Sequence, residues 1–276
     1  MSIGSSHGAR GRALVTGASS GIGATYCEKL AARGYDLVLV ARDAGRLKAL
    51  AEKLAQQHGI EADMLTADLT DRADLDLVDH RLREDERIDL LVNNAGIGPR
   101  GRLLKADPAY LDHMVDLNVT AANRLAVAAA QAFSARGMGK IVNIASSVAL
   151  SPEVFNGTYV AGKAFVLALT ESLAAELRET GVQVQAVLPG FTRTEIFERA
   201  GSSVDRLPPE TVMEVGDLVD AALAGLDRGE LVTIPSLEDA ALLDAFRKAR
   251  AALAPHLSLK RPAARYREDA AMARAV

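Results

Sequence analysis

From residue 12 onward the chain alternates short runs rich in Val, Leu and Ile with longer stretches of helical periodicity. The short runs fall at 13–16, 36–40, 62–66, 90–93, 140–144, 182–188 and 232–234. Several are almost continuously apolar, the pattern of parallel strands covered on both faces. Helical patterns occupy 22–33, 45–58, 73–83, 110–136 and 157–180. Parallel neighbours cannot be joined by a tight turn, so each repeat needs a helical crossover, which is right-handed. The rhythm predicts an α/β fold, a doubly wound parallel β-sheet in a single domain over 11–236. Residues 1–10 read as a disordered Gly/Ser lead.

Two segments leave the rhythm. Residues 192–215 are polar and hold Gly201, Pro208 and Pro209. An insertion of that length in a compact domain is expected to be a binding lid. Residues 237–276 form a tail, helical to about Leu253 and then basic through Lys260, Arg261, Arg265 and Arg267. A solvated end or a subunit contact is the expectation for it.

Composition narrows the function classes. A formal net charge of −4 gives no electrostatic reason to expect a nucleic-acid partner or an anionic membrane. No run approaches the roughly 20 apolar residues of a membrane span. Cys27 is the single cysteine, so no internal disulfide can form, and a reducing, cytoplasmic setting is expected. Its place on the first helical pattern marks a buried structural thiol. The histidines are scattered without ligand spacing, and no metal is expected.

The first strand runs directly into Gly17-Ala18-Ser19-Ser20-Gly21-Ile22-Gly23, which opens a helix. Glycine is needed where a strand turns sharply and the backbone must approach a pyrophosphate. The free N–H groups of the helix start then favour the phosphate charge. A strand, glycine turn and helix together at the head of a βαβ series point to a dinucleotide on a Rossmann-type sheet.

The spacing is Gly-x-x-x-Gly-x-Gly rather than the commoner Gly-x-Gly-x-x-Gly. With Asn93-Asn94-Ala95-Gly96 after the fourth strand and Tyr159-x-x-x-Lys163, the chain resembles the short-chain dehydrogenase/reductase family from residue 12 to about 234. The resemblance implies a cofactor site that also includes Asn94, Ala95 and Gly96 near the adenosine, and Asp68 and Leu69 flanking the adenine. For Asp68 a helix N-cap is the competing expectation. The segment after the sixth strand resembles the family's Pro-Gly stretch. It implies that Pro189, Gly190, Thr192 and Thr194 lie by the nicotinamide and pyrophosphate.

Cofactor choice turns on Val40-Ala41-Arg42-Asp43. An NAD enzyme wants a carboxylate at the end of the second strand for the ribose hydroxyls. Ala41 offers no acceptor, and Arg42 beside it suits a 2′-phosphate. NADP(H) is therefore expected to be preferred, and NAD(H) stays open if Asp43 occupies the register instead.

Tyr159 and Lys163 stand four apart on one helical pattern, so they share a face. A free phenol titrates near ~10, and a neighbouring ammonium favours the phenolate. A shift to about 7 would need some 4 kcal/mol of differential stabilisation, which requires the cofactor's own positive charge as well. Ser146 follows the fifth strand, at the strand end where open α/β sheets present ligands. The family resemblance implies that Ser146 holds the substrate oxygen, Tyr159 is the general acid/base, and Lys163 holds the ribose and tunes Tyr159. It further implies that Asn118 distorts its helix and holds a water leading to Lys163.

The expected reaction interconverts a carbonyl and a secondary alcohol by hydride transfer. Val148, Leu150, Val154 and Phe155 on one side, and Phe191, Ile196 and Phe197 on the other, predict an apolar substrate pocket. A dinucleotide-sensing regulator is a weaker reading, because such proteins typically lose the Tyr or the Lys. Isomerases and epimerases use a similar pair, but their larger C-terminal substrate domain has little room after 234. Ala-rich faces on 110–136 and 157–180 suggest a homodimer or homotetramer.

Overall fold

The computed structural model describes residues 11–153, 156–201 and 203–267, apart from the Phe197 side chain. The expected lead over 1–10, the pocket positions Val154 and Phe155, and the end of the tail lie outside these. The chain divides into two units after Ser236.

The first unit begins β1 (Arg12–Thr16), α1 (Gly21–Ala32), β2 (Asp36–Ala41), α2 (Ala44–His58), β3 (Ala62–Thr66), α3 (Arg72–Glu84) and β4 (Ile88–Asn93). It continues with α4 (Pro108–Val115), α5 (Ala122–Arg136), β5 (Gly139–Ile144), α6 (Gly157–Glu176) and β6 (Val182–Val187). Then come β7 (Phe191–Thr192), α7 (Ile196–Arg199), β8 (Val212–Met213), α8 (Val215–Asp227) and β9 (Val232–Thr233). Seven strands form one sheet in the order β3-β2-β1-β4-β5-β6-β9, with every pairing parallel. The order reverses between β1 and β4, which opens a crevice at their carboxyl ends.

Both faces are covered, as the apolar strand runs require. Tyr26, Cys27 and Leu30 of α1, Leu47 and Leu54 of α2 and Leu218 to Leu226 of α8 pack on one face. Leu75, Val78 and Leu82 of α3, Leu125 to Phe133 of α5 and Leu173 of α6 cover the other. Burial raises the Cys27 thiol pKa far above its ordinary value, so the thiol stays protonated and structural. Most alanines of α5 are core: Ala122, Ala126, Ala128, Ala129 and Ala130 are buried within this one chain, while Ala132 is partly buried and Ala135 exposed. The Ala-rich face of that helix is therefore not a free surface. The small side chains let helix and sheet approach closely.

The expected helix over 110–136 is three pieces. Between α4 and α5, Asp116–Ala121 winds as a π-helix. The expected lid is not a bare loop. Its two short strands pair in parallel, Phe191 with Val212 and Thr192 with Met213, and α7 lies between them. In the second unit, α9 (Ala240–Leu253) follows, capped by Asp239.

A charged staple closes the amino ends of the strands. Arg12 is fully buried and its guanidinium holds Glu61 at 2.5 Å, Asp63 at 2.9 Å and Asp85 at 3.2 Å. Burial is the largest influence on Asp85 and opposes its charge. The Arg87 amide and the guanidiniums of Arg12, Arg81 and Arg87 outweigh it and hold the carboxyl below its ordinary value. Asp79, ion-paired with Arg83 and Arg124, is likewise lowered against the burial that opposes it. A depressed folded pKa stabilises above the unfolded value and is lost as pH falls through the folded one. The urea midpoint is accordingly expected to stay flat from neutral pH to about 5 and to fall below about 4. Asp85→Asn should flatten that acid limb, and an unchanged limb would exclude the staple as its source.

Candidate functional site

A cleft of about 1500 Å³ opens at the carboxyl ends of the strands, over the β1–β4 crevice. It is bounded by the glycine turn, the ends of β2, β4 and β5, the start of α6 and the lid.

The turn is shaped by two glycines. Gly17 has φ +66°, a conformation that a side chain disfavours. A Cβ on Gly23 would strike the Gly17 carbonyl oxygen and the Asn94 side-chain amide. Asn94 ties the turn down by donating from Nδ2 to the Thr16 carbonyl at 2.8 Å. Its own N–H and that of Ala95 donate to Thr16 Oγ1 at 2.9 and 3.0 Å. Ser20 occupies the N-cap of α1 without capping it, so the N–H groups of that helix start face the cleft unsatisfied by a side chain. Ser19, Ser20, Gly21 and Ile22 line the cleft, while Gly23 lies beneath it. Thr194 stands against Gly21, its Cβ 3.3 Å from where a Gly21 Cβ would sit. A Cβ-free cradle, a bare helix start and a long cleft together fit a dinucleotide.

At the β2 end, Ala41, Arg42 and Asp43 all line the cleft. Asp43 caps α2, its carboxylate accepting from the Arg46 N–H at 2.9 Å. Arg42 lies 3.6 Å from Asp68. The N-cap of α3 is Asp71, which corrects the competing expectation for Asp68. Asp68 instead forms a local turn, accepting from the Thr70 N–H at 3.0 Å and its hydroxyl at 2.8 Å. Asp68 and Leu69 line the cleft together with Asn94, Ala95 and Gly96.

At the other end, β5 and α6 bring three of the four expected reactive side chains into reach. Asn156 caps α6 and starts it so that Tyr159 and Lys163 face the β5 end. Lys163 is buried, and its Nζ donates to the Ile144 carbonyl at 2.9 Å. Burial lowers its pKa to about 8. Tyr159 lines the cleft and shares a side-chain hydrogen bond with Ser146. Burial raises the Tyr159 pKa above its ordinary value, and the Ser146 bond only partly offsets this. The ammonium lies 6.0 Å from the Tyr159 ring centre. In the chain alone burial dominates the Tyr159 pKa and the ammonium faces a backbone carbonyl, so the expected lowering depends on the positive charge of the bound cofactor.

Asn118 sits behind the cleft in the π-helical segment. Its Oδ1 accepts from the Ile97 N–H at 2.9 Å and its Nδ2 donates to the Ile97 carbonyl at 2.9 Å. That reciprocal pair binds the helix to the loop after β4. A Cβ on Gly96 would stand 3.1 Å from Asn118 Oδ1 and 3.5 Å from Lys163 Nζ, so both side chains close on the same glycine.

Pro189, Gly190, Phe191, Thr192, Thr194, Ile196 and Val148 line the cleft as expected. Leu150 does not. Ser147–Leu150 winds as a 3₁₀ turn, and from this stretch Ser147, Val148 and the following Ser151 line the cleft. Sequence reasoning also passed over Arg46, Arg100, Tyr110, His113, Leu117, Glu195, Arg199 and Arg206, all of which line it. Tyr110 donates to the Gly98 carbonyl at 2.7 Å under the Arg100 guanidinium, 4.2 Å from its ring centre. Only Arg46 carried a visible signal, four residues from Arg42 at the same helix start.

Among the described residues, no group of three or more His, Cys, Asp or Glu is placed to hold a metal ion. No described helix is long and apolar enough to cross a membrane.

Comparison with known proteins agrees with this geometry. Residues 12–205 match the family model described as short chain dehydrogenase. A solved short-chain dehydrogenase from Sphingobium yanoikuyae, in complex with NADPH, is 52% identical with a TM-score of 0.90, over 93% of this chain and 100% of that one. A bulky-bulky ketone specific alcohol dehydrogenase from Comamonas testosteroni is 46% identical with a TM-score of 0.86, over 93% and 98%. A very-long-chain 3-oxoacyl-CoA reductase from Anas platyrhynchos is 32% identical over 72% of this chain and 65% of its own length. With a family model matched over 12–205, from β1 through β6 and into the lid, the chain belongs to the short-chain dehydrogenase family of oxidoreductases.

Proposed function

We propose that the chain is an NADP(H)-preferring reductase and dehydrogenase that interconverts an apolar ketone and its secondary alcohol. The observation that carries this reading is the convergence of Ser146, Tyr159 and Lys163 at the end of a cleft whose other end is a glycine cradle. When bound, the nicotinamide supplies or accepts a hydride at the substrate carbon.

The chain's own residues do the rest. Ser146 orients the substrate oxygen. Tyr159, protonated at neutral pH because burial raises its pKa, gives that oxygen a proton during reduction and takes it back during oxidation. Lys163 is fixed by the Ile144 carbonyl one turn along the helix, where its ammonium can hold a ribose hydroxyl. Asn118, bound to Ile97 within a π-helical turn, fixes the loop after β4 beside Lys163.

NADP(H) preference is supported by Ala41 leaving the ribose corner open, by Arg42 at the rim, and by Asp43 being engaged as a helix cap. The NADPH in the Sphingobium structure points the same way. The apolar side of the pocket, with Leu117, Val148, Phe191, Ile196 and Leu207, suits a bulky ketone such as the Comamonas enzyme is named for. A homodimer or homotetramer would bury the row of Ala161, Phe165 and Ala168 exposed along α6.

A panel of bulky ketones, aldehydes and 3-ketoacyl thioesters, followed by NADPH oxidation, tests the reading. Turnover of bulky ketones with kcat/KM for NADPH at least about tenfold above NADH is expected. Arg42→Ala should reduce that ratio by lowering the NADPH value alone. Equal use of both cofactors, or no effect of Arg42→Ala, would contradict the preference.

A further inference from the structure

The rim of the cleft over the start of α2 carries, beside Arg42, a charge that the reading above does not use, Arg46. Arg42 and Arg46 flank the cap Asp43 and both line the cleft beside Ala41. Each guanidinium is held by a carboxylate. Arg42 faces Asp68 at 3.6 Å. Arg46 Nη1 reaches both oxygens of Glu195, at 3.1 and 3.0 Å.

Glu195 belongs to the lid, immediately ahead of α7. It also accepts from Arg199 Nη2 at 2.5 Å, and that same nitrogen reaches Ser20 Oγ in the glycine turn at 3.1 Å. The network therefore runs from α2 through the lid to the phosphate turn, across the mouth of the cleft. The Arg46 hydrogen bond holds the Glu195 carboxyl below its ordinary value, so the pair is fully charged at neutral pH.

A guanidinium binds carboxylate and phosphate with the same charge-assisted geometry. A phosphate arriving beside Arg42 would meet Arg46 already occupied and would be repelled by the Glu195 carboxylate. Exposed ion pairs contribute little to stability, so the contact can be exchanged.

We propose that Glu195 holds Arg46 in the place of the 2′-phosphate of NADP(H), and that the arriving phosphate takes Arg46 and frees the lid from α2. Arg46 is then a second determinant of cofactor choice, and it couples that choice to the lid. The inference rests on the NADP(H) reading above. It differs from that reading in making lid attachment, as well as affinity, depend on the phosphate.

The test uses the full chain with 2′-phospho-ADP-ribose and ADP-ribose as probes. Affinity is read by calorimetry, and lid release by the rate of tryptic cleavage after Arg193, Arg199 and Arg206. In the parent protein, 2′-phospho-ADP-ribose should speed cleavage and ADP-ribose should not. Arg46→Ala should weaken 2′-phospho-ADP-ribose about tenfold and leave ADP-ribose within about twofold. Glu195→Gln should tighten 2′-phospho-ADP-ribose about twofold to fivefold, leave ADP-ribose unchanged, and give the fast cleavage rate without any probe.

An unchanged ratio of the two affinities in Glu195→Gln, or equal weakening of both probes in Arg46→Ala, overturns the exchange. A parent protein that binds both probes equally overturns the NADP(H) reading itself. A parent that prefers the phosphate, with both variants unaffected, leaves that reading standing and removes only the exchange.

Discussion

Replacing Tyr159 by phenylalanine is expected to lower kcat by about 10²–10⁴-fold, the range a positioned proton donor supplies. Stability and cofactor affinity should stay close to those of the parent. The substitution removes one oxygen that faces the cleft and leaves the ring, the α6 cap at Asn156 and the buried Lys163 in place. Direction matters as well as size. Burial holds the Tyr159 pKa above its ordinary value, so the acid form persists through neutral and mildly alkaline pH. Reduction should therefore keep its rate over that range, while oxidation, which needs the phenolate, rises with pH. Steady-state kinetics in both directions check this. A Tyr159→Phe protein retaining more than a few per cent of kcat would remove the residue from the reaction.

The second large effect is at Gly23. Its Cβ would strike the Gly17 carbonyl and the Asn94 side chain, and neither neighbour is free to move. Gly17 is in a left-handed turn, and Asn94 is bonded to the Thr16 carbonyl. Gly23→Ala is expected to destabilise the fold by about 1–3 kcal/mol through overpacking. Dinucleotide binding should fall by about 100-fold or more, because relieving the clash moves the turn that would meet the pyrophosphate. Thermal melting and calorimetric titration with NADPH measure the two parts separately. A folded Gly23→Ala protein that binds NADPH within threefold of the parent would show that the turn does not approach the dinucleotide.

The strand ladder and its parallel character were legible because period and apolarity report burial directly. The runs near 36–40, 62–66 and 140–144 reappear as β2, β3 and β5 with ends shifted by at most a residue. The glycine turn was legible because a backbone conformation dictates its residues. The family resemblance implied a distorted helix at Asn118, and a π-helical turn surrounds it.

What was not legible depended on three-dimensional placement. The alanines of α5 were read as a docking face for another subunit, because small side chains mark close helix approach without showing what approaches, and most of them pack against the sheet. Leu150 was assigned to the pocket with Val148, and nothing in the sequence between Ser146 and Tyr159 marks which of these side chains reach the cleft. The Arg46–Glu195 ion pair joins residues 149 apart in the chain, and ion pairs between exposed side chains leave no periodic trace. The Tyr159 pKa was expected to fall under Lys163 together with the positive charge of the cofactor. In the chain alone burial raises it, and Lys163 turns toward the Ile144 carbonyl.

The central claim is hydride transfer to a carbonyl carbon in this cleft, and isotopic labelling tests it most directly. The protein is incubated with a bulky aryl ketone and NADPH deuterated at both C4 positions, and the product is examined by mass spectrometry and proton NMR. The account predicts one deuterium on the carbinol carbon of the alcohol, in one enantiomer, with the product nearly absent in Tyr159→Phe. Alcohol without deuterium at that carbon, or no alcohol from any ketone while NADPH binds tightly, would contradict it.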